Sequence, residues 1–302
     1  MISLFDLHCD TLYEQYKKNL SCDSSLLHVS LSNSYGFRPY VQGCAIWSDY
    51  RLNNDDAYEN YKGCLAYARN LGLRFSSSLS KTDDKTLILT VEDARLLNGK
   101  LTRLDELKRD GVKSITLNWK GESCIGGGWD TTVSLSPFGL SVVEYCAKNK
   151  IAVDLSHSSH NTHAQVLKLA EKHGFAPIFS HSNSFSVCNH KRNVTDEIAK
   201  EVSNLNGLIG LSLCPHHLTD DSYATVYSVI KHAIKFLELG CLHSLALGCD
   251  FDGVSSLPSG INHAGDLQKL HEIFQKELGT EVTNRIFYQN SYDYFTKLLS
   301  RR

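Results

Sequence analysis

The chain has 302 residues, 42% of them hydrophobic and 21% charged, with a formal net charge of −2. That is the make-up of a soluble globular protein, and so small a charge supplies no field to gather nucleic acid or an anionic membrane. No apolar run reaches the ~20 residues needed to span a bilayer, and no Gly- or Ser-rich tract marks a disordered linker.

Ile2 to Leu7 reads as a short apolar strand. Side chains two apart on a strand point the same way, so His8 and Asp10 project from one face at its tip, with Asp6 behind them. An imidazole beside a carboxylate there makes half of a metal site. Leu12 to Lys18 is a helix, Val41 to Trp47 a strand, and Asp55-Asp56 opens a helix with Tyr58, Tyr61, Leu65 and Ala68 on one stripe. Thr86 to Val91 is a strand ending in Glu92, followed by a helix over Leu101 to Lys108 and a strand from Val112 to Leu117. Gly126-Gly127-Gly128 lacks the ending and context of a phosphate loop and reads as a mobile surface loop.

Ser136-Pro137 is an N-cap and first-turn pair opening the next helix. Ile151 to Leu155 is a strand ending at His157, and Ala176 to Phe179 one ending at His181, with a helix between them stopped at Gly174. Thr195 caps a helix with Asp196 and Glu197 in its first turn. Leu208 to Leu213 is a strand, Tyr223 to Leu239 a helix, and Leu245 to Gly248 a strand ending at Asp250. Two helices, Asp266 to Leu278 and Glu281 to Leu299, close the chain.

Eight short apolar strands alternating with helices predict a (β/α)8 TIM barrel, a single domain over residues 1–302. The rival, a doubly wound sheet, would carry a G-x-G-x-x-G after a strand, and none is present. The ten cysteines are scattered with no C-x-x-C pair, which removes zinc ribbons and thioredoxin-like motifs. Thiols in apolar segments, and a Met1 that runs straight into a strand with no room for a signal peptide, predict a reducing, cytoplasmic setting. There the sequon Asn193-Val194-Thr195 carries no meaning.

In a barrel of this kind His8, Asp10, Glu92, His157, His181 and Asp250, all at strand ends, converge on one mouth. Three histidines and three carboxylates suit Zn²⁺ or a similar divalent ion, and two ions sharing a bridging carboxylate would use them all. The remaining histidines read as surface or core residues, except that His216-His217 follows strand seven and so lies near the mouth. No Gly-x-Ser-x-Gly elbow offers a serine nucleophile.

The stretches Asp6-Leu7-His8-Cys9-Asp10, Val153-Asp154-Leu155-Ser156-His157-Ser158, Phe179-Ser180-His181-Ser182, Arg192-Asn193-Val194 and Gly248-Cys249-Asp250-Phe251-Asp252-Gly253-Val254 resemble the membrane (renal-type) dipeptidases, a zinc metallopeptidase family. Ser136-Pro137-Phe138-Gly139 resembles that family's Leu-x-Pro-Phe-Gly segment. The resemblance implies a water or hydroxide bridging two Zn²⁺ ions, with His8 and Asp10 on the first, His157 and His181 on the second, and Glu92 bridging. It implies Asp250 as the proton-moving acid and Arg192 as the grip on a dipeptide's C-terminal carboxylate. Trp119 stands about where the family often has a substrate-contacting histidine, and Leu213-Cys214-Pro215 departs from its usual Asn-Phe-Tyr. The expected partner is a small dipeptide, with neither nucleic acid nor membrane, and the family's habit admits a homodimer. The alternatives are a binuclear hydrolase of another small amide, lactone or ester, and a barrel without turnover that only binds.

Overall fold

The computed structural model describes residues 1–30, 32–34, 36–80, 84–221 and 223–300. Eight parallel strands close into a barrel in chain order: β1 (Ile2–Cys9), β2 (Phe37–Ile46), β3 (Lys85–Glu92), β4 (Ser114–Thr116), β5 (Ala152–Asp154), β6 (Ile178–Phe179), β7 (Leu208–Leu211) and β8 (Leu245–Leu247). The helices outside are α1 (Thr11–Lys18), α2 (Asn54–Asn70), α3 (Leu101–Asp110), α4 (Pro137–Lys148), α5 (His160–His173), α6 (Asp196–Asn204), α7 (Pro215–Leu218) and α8 (Val226–Glu238). They are followed by α9 (Leu267–Leu278), α10 (Thr280–Asn284) and α11 (Asn290–Ser300). The predicted (β/α)8 architecture is the one observed.

Side-chain caps start several of these helices. The Ser136 hydroxyl accepts from the Gly139 N–H at 2.9 Å, with Pro137 in the first turn of α4. Ser159 caps α5 and Thr195 caps α6 in the same manner. The helix predicted from Tyr223 begins later, at Val226, because Thr225 and Ser228 form a capping box that sets its first turn.

Two apolar layers hold the barrel. Most core residues lie between strands and helices. Inside, Phe5, Val41, Ile88, Ala152, Ile178, Leu208 and Ala246 pack on Tyr288, Tyr294 and Phe295, so the C-terminal segment closes the end of the barrel opposite the mouth. Phe5 stacks on Phe295 with ring centroids 5.4 Å apart.

The register of β1 determines where the chemistry goes. Asp6 pairs with Gln42 and Cys9 with Cys44, so three residues of β1 are matched by two of β2, a bulge. Leu7 accordingly faces the inner cluster and Cys9 the outer one. Plain alternation would have put both on one side; the extra residue re-aims His8 and Asp10 into the mouth. Asp6 does not stand in line behind them as predicted. Its carboxylate accepts from the Cys249 N–H at 2.8 Å and from Gln42 Nε2 at 3.0 Å, fastening β1 to its neighbours.

The triple glycine is the clearest departure from expectation. Gly126, Gly127 and Gly128 are buried, not a mobile surface loop. Gly128 bridges Ser158, and the Gly127 carbonyl accepts from the Ser159 N–H at 3.0 Å, so the segment braces the turn that carries His157. A Cβ on Gly128 would crowd the Lys120 backbone at 2.7 Å, which is why glycine is needed there.

Candidate metal centre

His8, Asp10, Glu92, His157, His181 and Asp250 all meet at the C-terminal mouth of the barrel and are buried. Glu92, at the end of β3, is their hub. Its Oε2 lies 3.5 Å from His8 Nε2, and its Oε1 lies 2.8 Å from His157 Nε2 and 3.6 Å from His181 Nε2. His8 Nε2 is also 3.6 Å from Asp10 and 3.8 Å from Asp250. His157 and Asp250 reach these positions from left-handed backbone, at φ of 66° and 62°, strain of the kind that clusters at functional sites.

Hydrogen bonds behind the cluster aim its rings. Ser180 gives its hydroxyl proton to Asp154, so toward His181 Nδ1, at 2.8 Å, its oxygen can only accept. Nδ1 of His181 therefore carries the proton, and Nε2 turns its lone pair to the centre.

The electrostatics fit a cation-binding site. Burial, with the Asp10 charge beside it, pushes Glu92 up to about 8, and burial pushes Asp250 up to about 7. Burial and the nearby Arg192 and His8 charges hold His157 and His181 well below the ordinary imidazole value, in the neutral form that ligates metals. His8 goes the other way: burial disfavours its charge, but Asp10 and Glu92 hold it well above the usual value. Two groups of donor atoms share Glu92: His8, Asp10 and Glu92, and Glu92, His157 and His181, each within 4.8 Å. His8 Nε2 and Asp10 Oδ1 are buried with no hydrogen-bond partner. Buried polar atoms left without a partner in the first set, beside a second set of two neutral imidazoles and the shared carboxylate, fit divalent ions, which would replace the proton on His8.

Above the cluster is a cavity of about 460 Å³. Arg192 lines it from the loop after β6; its Nη2 donates to the His181 carbonyl at 3.5 Å and its Nε is buried without a partner. Trp119 lines the other side and stacks on His157, ring centroids 5.6 Å apart. His216 and His217 both border the cavity, as their place after strand seven suggested, but so do His190 and Trp129. His190, expected to be an ordinary surface or core residue, packs against His217 at 4.6 Å. The loop that holds His190 is irregular, so no periodic signal could have placed it. Asp252 shapes the β8 loop, accepting from the His28 N–H at 2.7 Å and from Thr11. Asn193 is buried and donates to the carbonyls of Cys188 and His217, which is structural work.

The loop that carries Arg192 and the short helix α7 that carries His217 are also joined by His232 of α8. Its Nδ1 accepts from the Ser184 N–H at 3.0 Å, and its Nε2 donates to the Leu218 carbonyl at 2.9 Å. Burial pushes this imidazole down to about 4, against the pull of the Leu218 carbonyl. Between pH 6.5 and 4 the unfolded chain thus binds a proton here that the native chain refuses, so this stability is complete above the unfolded value and lost as pH falls. From pH 7 to pH 5 the wild type should lose about 2 kcal/mol through this group. Urea midpoints at the two pH values should fall less in His232→Gln; equal falls would show that His232 titrates normally.

Imidazoles and carboxylates gathered at the mouth of a parallel barrel place the chain among metal-dependent hydrolases. A family model narrows the class: that of the membrane dipeptidases, peptidase family M19, matches residues 55–293, and the chain belongs to this family. The matched range holds Glu92, His157, His181, Arg192 and Asp250, while His8 and Asp10 precede it. Solved structures share the fold. The dipeptidase AC, a metallopeptidase, superposes with a TM-score of 0.90 at 19% identity over 99% of each chain. A metallopeptidase from Rhodobacter sphaeroides, liganded with a phosphinate mimic of the dipeptide L-Ala-D-Ala, gives 0.89 at 18% identity, over 97% of this chain and 98% of that one. The probable dipeptidase PvdM from Pseudomonas aeruginosa gives 0.88 at 13%, over 100% and 96%. Among the described residues no helix is long and apolar enough to cross a membrane.

Proposed function

We infer that the chain is a metal-dependent dipeptidase whose residues 1–302 form one catalytic unit loaded with two Zn²⁺ ions. The observation that carries this reading is the convergence of three imidazole nitrogens on the two oxygens of Glu92, beside a buried and under-bonded Arg192. His8 and Asp10 would hold one ion, His157 and His181 the other, and Glu92 both; imidazole and carboxylate donors without thiolate suit zinc. Bound divalent ions supply an acidified water and a polarised carbonyl.

The remaining work falls to the chain itself. Asp250 borders both the cluster and the cavity, where it takes the proton of the attacking water and returns it to the leaving amine. Arg192 offers a planar two-pronged donor to a free carboxylate, which confines substrates to very short peptides. The phosphinate dipeptide mimic bound by the Rhodobacter sphaeroides relative supports that substrate class. All ten cysteines are free, which supports a cytoplasmic setting.

Elemental analysis of the purified protein, with hydrolysis of dipeptides, acylated amino acids and lactones before and after chelation, tests the reading. Absence of bound metal, or hydrolysis indifferent to chelator, would refute it. Arg192→Ala should raise KM for dipeptides by about tenfold to a hundredfold, the worth of a charge-assisted hydrogen bond, and change kcat less. Dipeptide amides, which lack the carboxylate, should barely notice the substitution. An unchanged KM would move the carboxylate elsewhere.

A further inference from the structure

The mouth of the barrel has two chemically different sides. Because the strands close in the order β1 to β8, β2 lies across the barrel from β6. On the side of β6 and β7 the cavity is bordered by Arg192, His190 and His217. On the side of β1, β2 and β4 it is bordered by aromatic rings. Tyr13 meets Trp47 edge-on at 4.9 Å, Trp47 tilts against Trp119 at 5.4 Å, and Trp119 continues the wall to His157. Of the charges on this side, Asp10 belongs to the cluster with His8, Glu14 is paired with Lys18, and Lys120 Nζ lies over the Tyr50 ring at 5.5 Å.

We propose that Tyr13, Trp47 and Trp119 form the pocket for the side chain of a dipeptide's N-terminal residue and select bulky apolar or aromatic residues there. The inference rests on the dipeptidase reading, with Arg192 as the seat of the free carboxylate. A dipeptide anchored on the β6 side, with its scissile carbonyl over the central histidines and carboxylates, has one direction left for its first residue. That direction leads to β2 and Trp47. Flat rings set edge to face give such a side chain a large apolar contact area, and aromatic partners add to what burial alone provides. A methyl group in the same place leaves most of the wall uncovered.

The test compares kcat/KM for Phe-Ala, Ala-Phe and Ala-Ala on the metal-loaded wild type, Trp47→Leu and Trp47→Ala. The wild type should cleave Phe-Ala about tenfold faster than Ala-Ala. That ratio should shrink in Trp47→Leu and approach unity in Trp47→Ala, with the ratio of Ala-Phe to Ala-Ala unmoved. A partly unfolded preparation lowers all three rates together, so the ratios still report the pocket, and the leucine variant serves if the alanine one does not fold. Equal wild-type rates on Phe-Ala and Ala-Ala, or a Phe-Ala preference that survives in both variants, overturns the pocket and leaves the dipeptidase reading standing. No cleavage of any of the three overturns both.

Discussion

Asp250→Asn is expected to leave a folded protein with its full complement of metal and a kcat lower by about three orders of magnitude, the range for loss of a positioned acid–base group. Asparagine is chosen for two physical reasons. The residue sits at a φ of 62°, a left-handed conformation that asparagine and aspartate adopt more readily than other side chains with a Cβ. The space is also tight, since a Cβ on Gly253 would strike the carboxylates of both Asp10 and Asp250, and the amide keeps the original shape. What disappears is the capacity to take and return a proton. Asp250 also lies within 4.8 Å of donor atoms of His8 and His181, but it belongs to neither of the two sets that share Glu92, and those two sets suffice for two ions, so metal content should hold. Turnover of a dipeptide, with elemental analysis of the same preparation, checks both halves. A kcat within a few-fold of wild type would remove Asp250 from the proton pathway; loss of metal would make it a ligand.

Much of this centre was legible because strand ends are legible. His157 and His181 each follow an apolar run closed by a helix signal, and Glu92 terminates Thr86 to Val91. Once eight such runs imply a barrel, their ends must meet. The bulge in β1 was not legible: it arises from pairing with β2, and the sequence reads equally well as unbroken alternation. Nor was the burial of Gly126 to Gly128, because three glycines carry no period and no side chain to mark an inward face. Their role came from tertiary crowding, with backbone passing too close for a Cβ. His190 and Trp129 were hidden for a related reason, being held in irregular loops by contacts remote in the chain. The histidine pair after strand seven was singled out by position alone, and only His217 of the two is joined to the His190 ring.

Glu92→Gln should have an effect on metal as large as that of Asp250→Asn on turnover, and it should reverse a stability order. In the metal-free protein Glu92 is buried beside Asp10 and Asp250, whose charges add to the burial that already disfavours its own. With its carboxyl pushed up to about 8, Glu92 is already mostly uncharged near neutral pH, so a neutral side chain of the same length costs little and retains a hydrogen-bonding partner for the His157 nitrogen 2.8 Å away. After chelation, therefore, the variant should melt no lower than the wild type. Adding Zn²⁺ separates them. An ion held at about a hundred times its Kd stabilises the wild type by about 2.7 kcal/mol. The variant has lost the one carboxylate placed to serve both donor sets, so its melting temperature should move little and its dipeptide hydrolysis should fall to background. Thermal melts of both proteins, chelated and zinc-loaded, read this directly. A variant that still gains the full wild-type shift would show that the two sets do not depend on Glu92, and the shared-carboxylate arrangement would have to be abandoned.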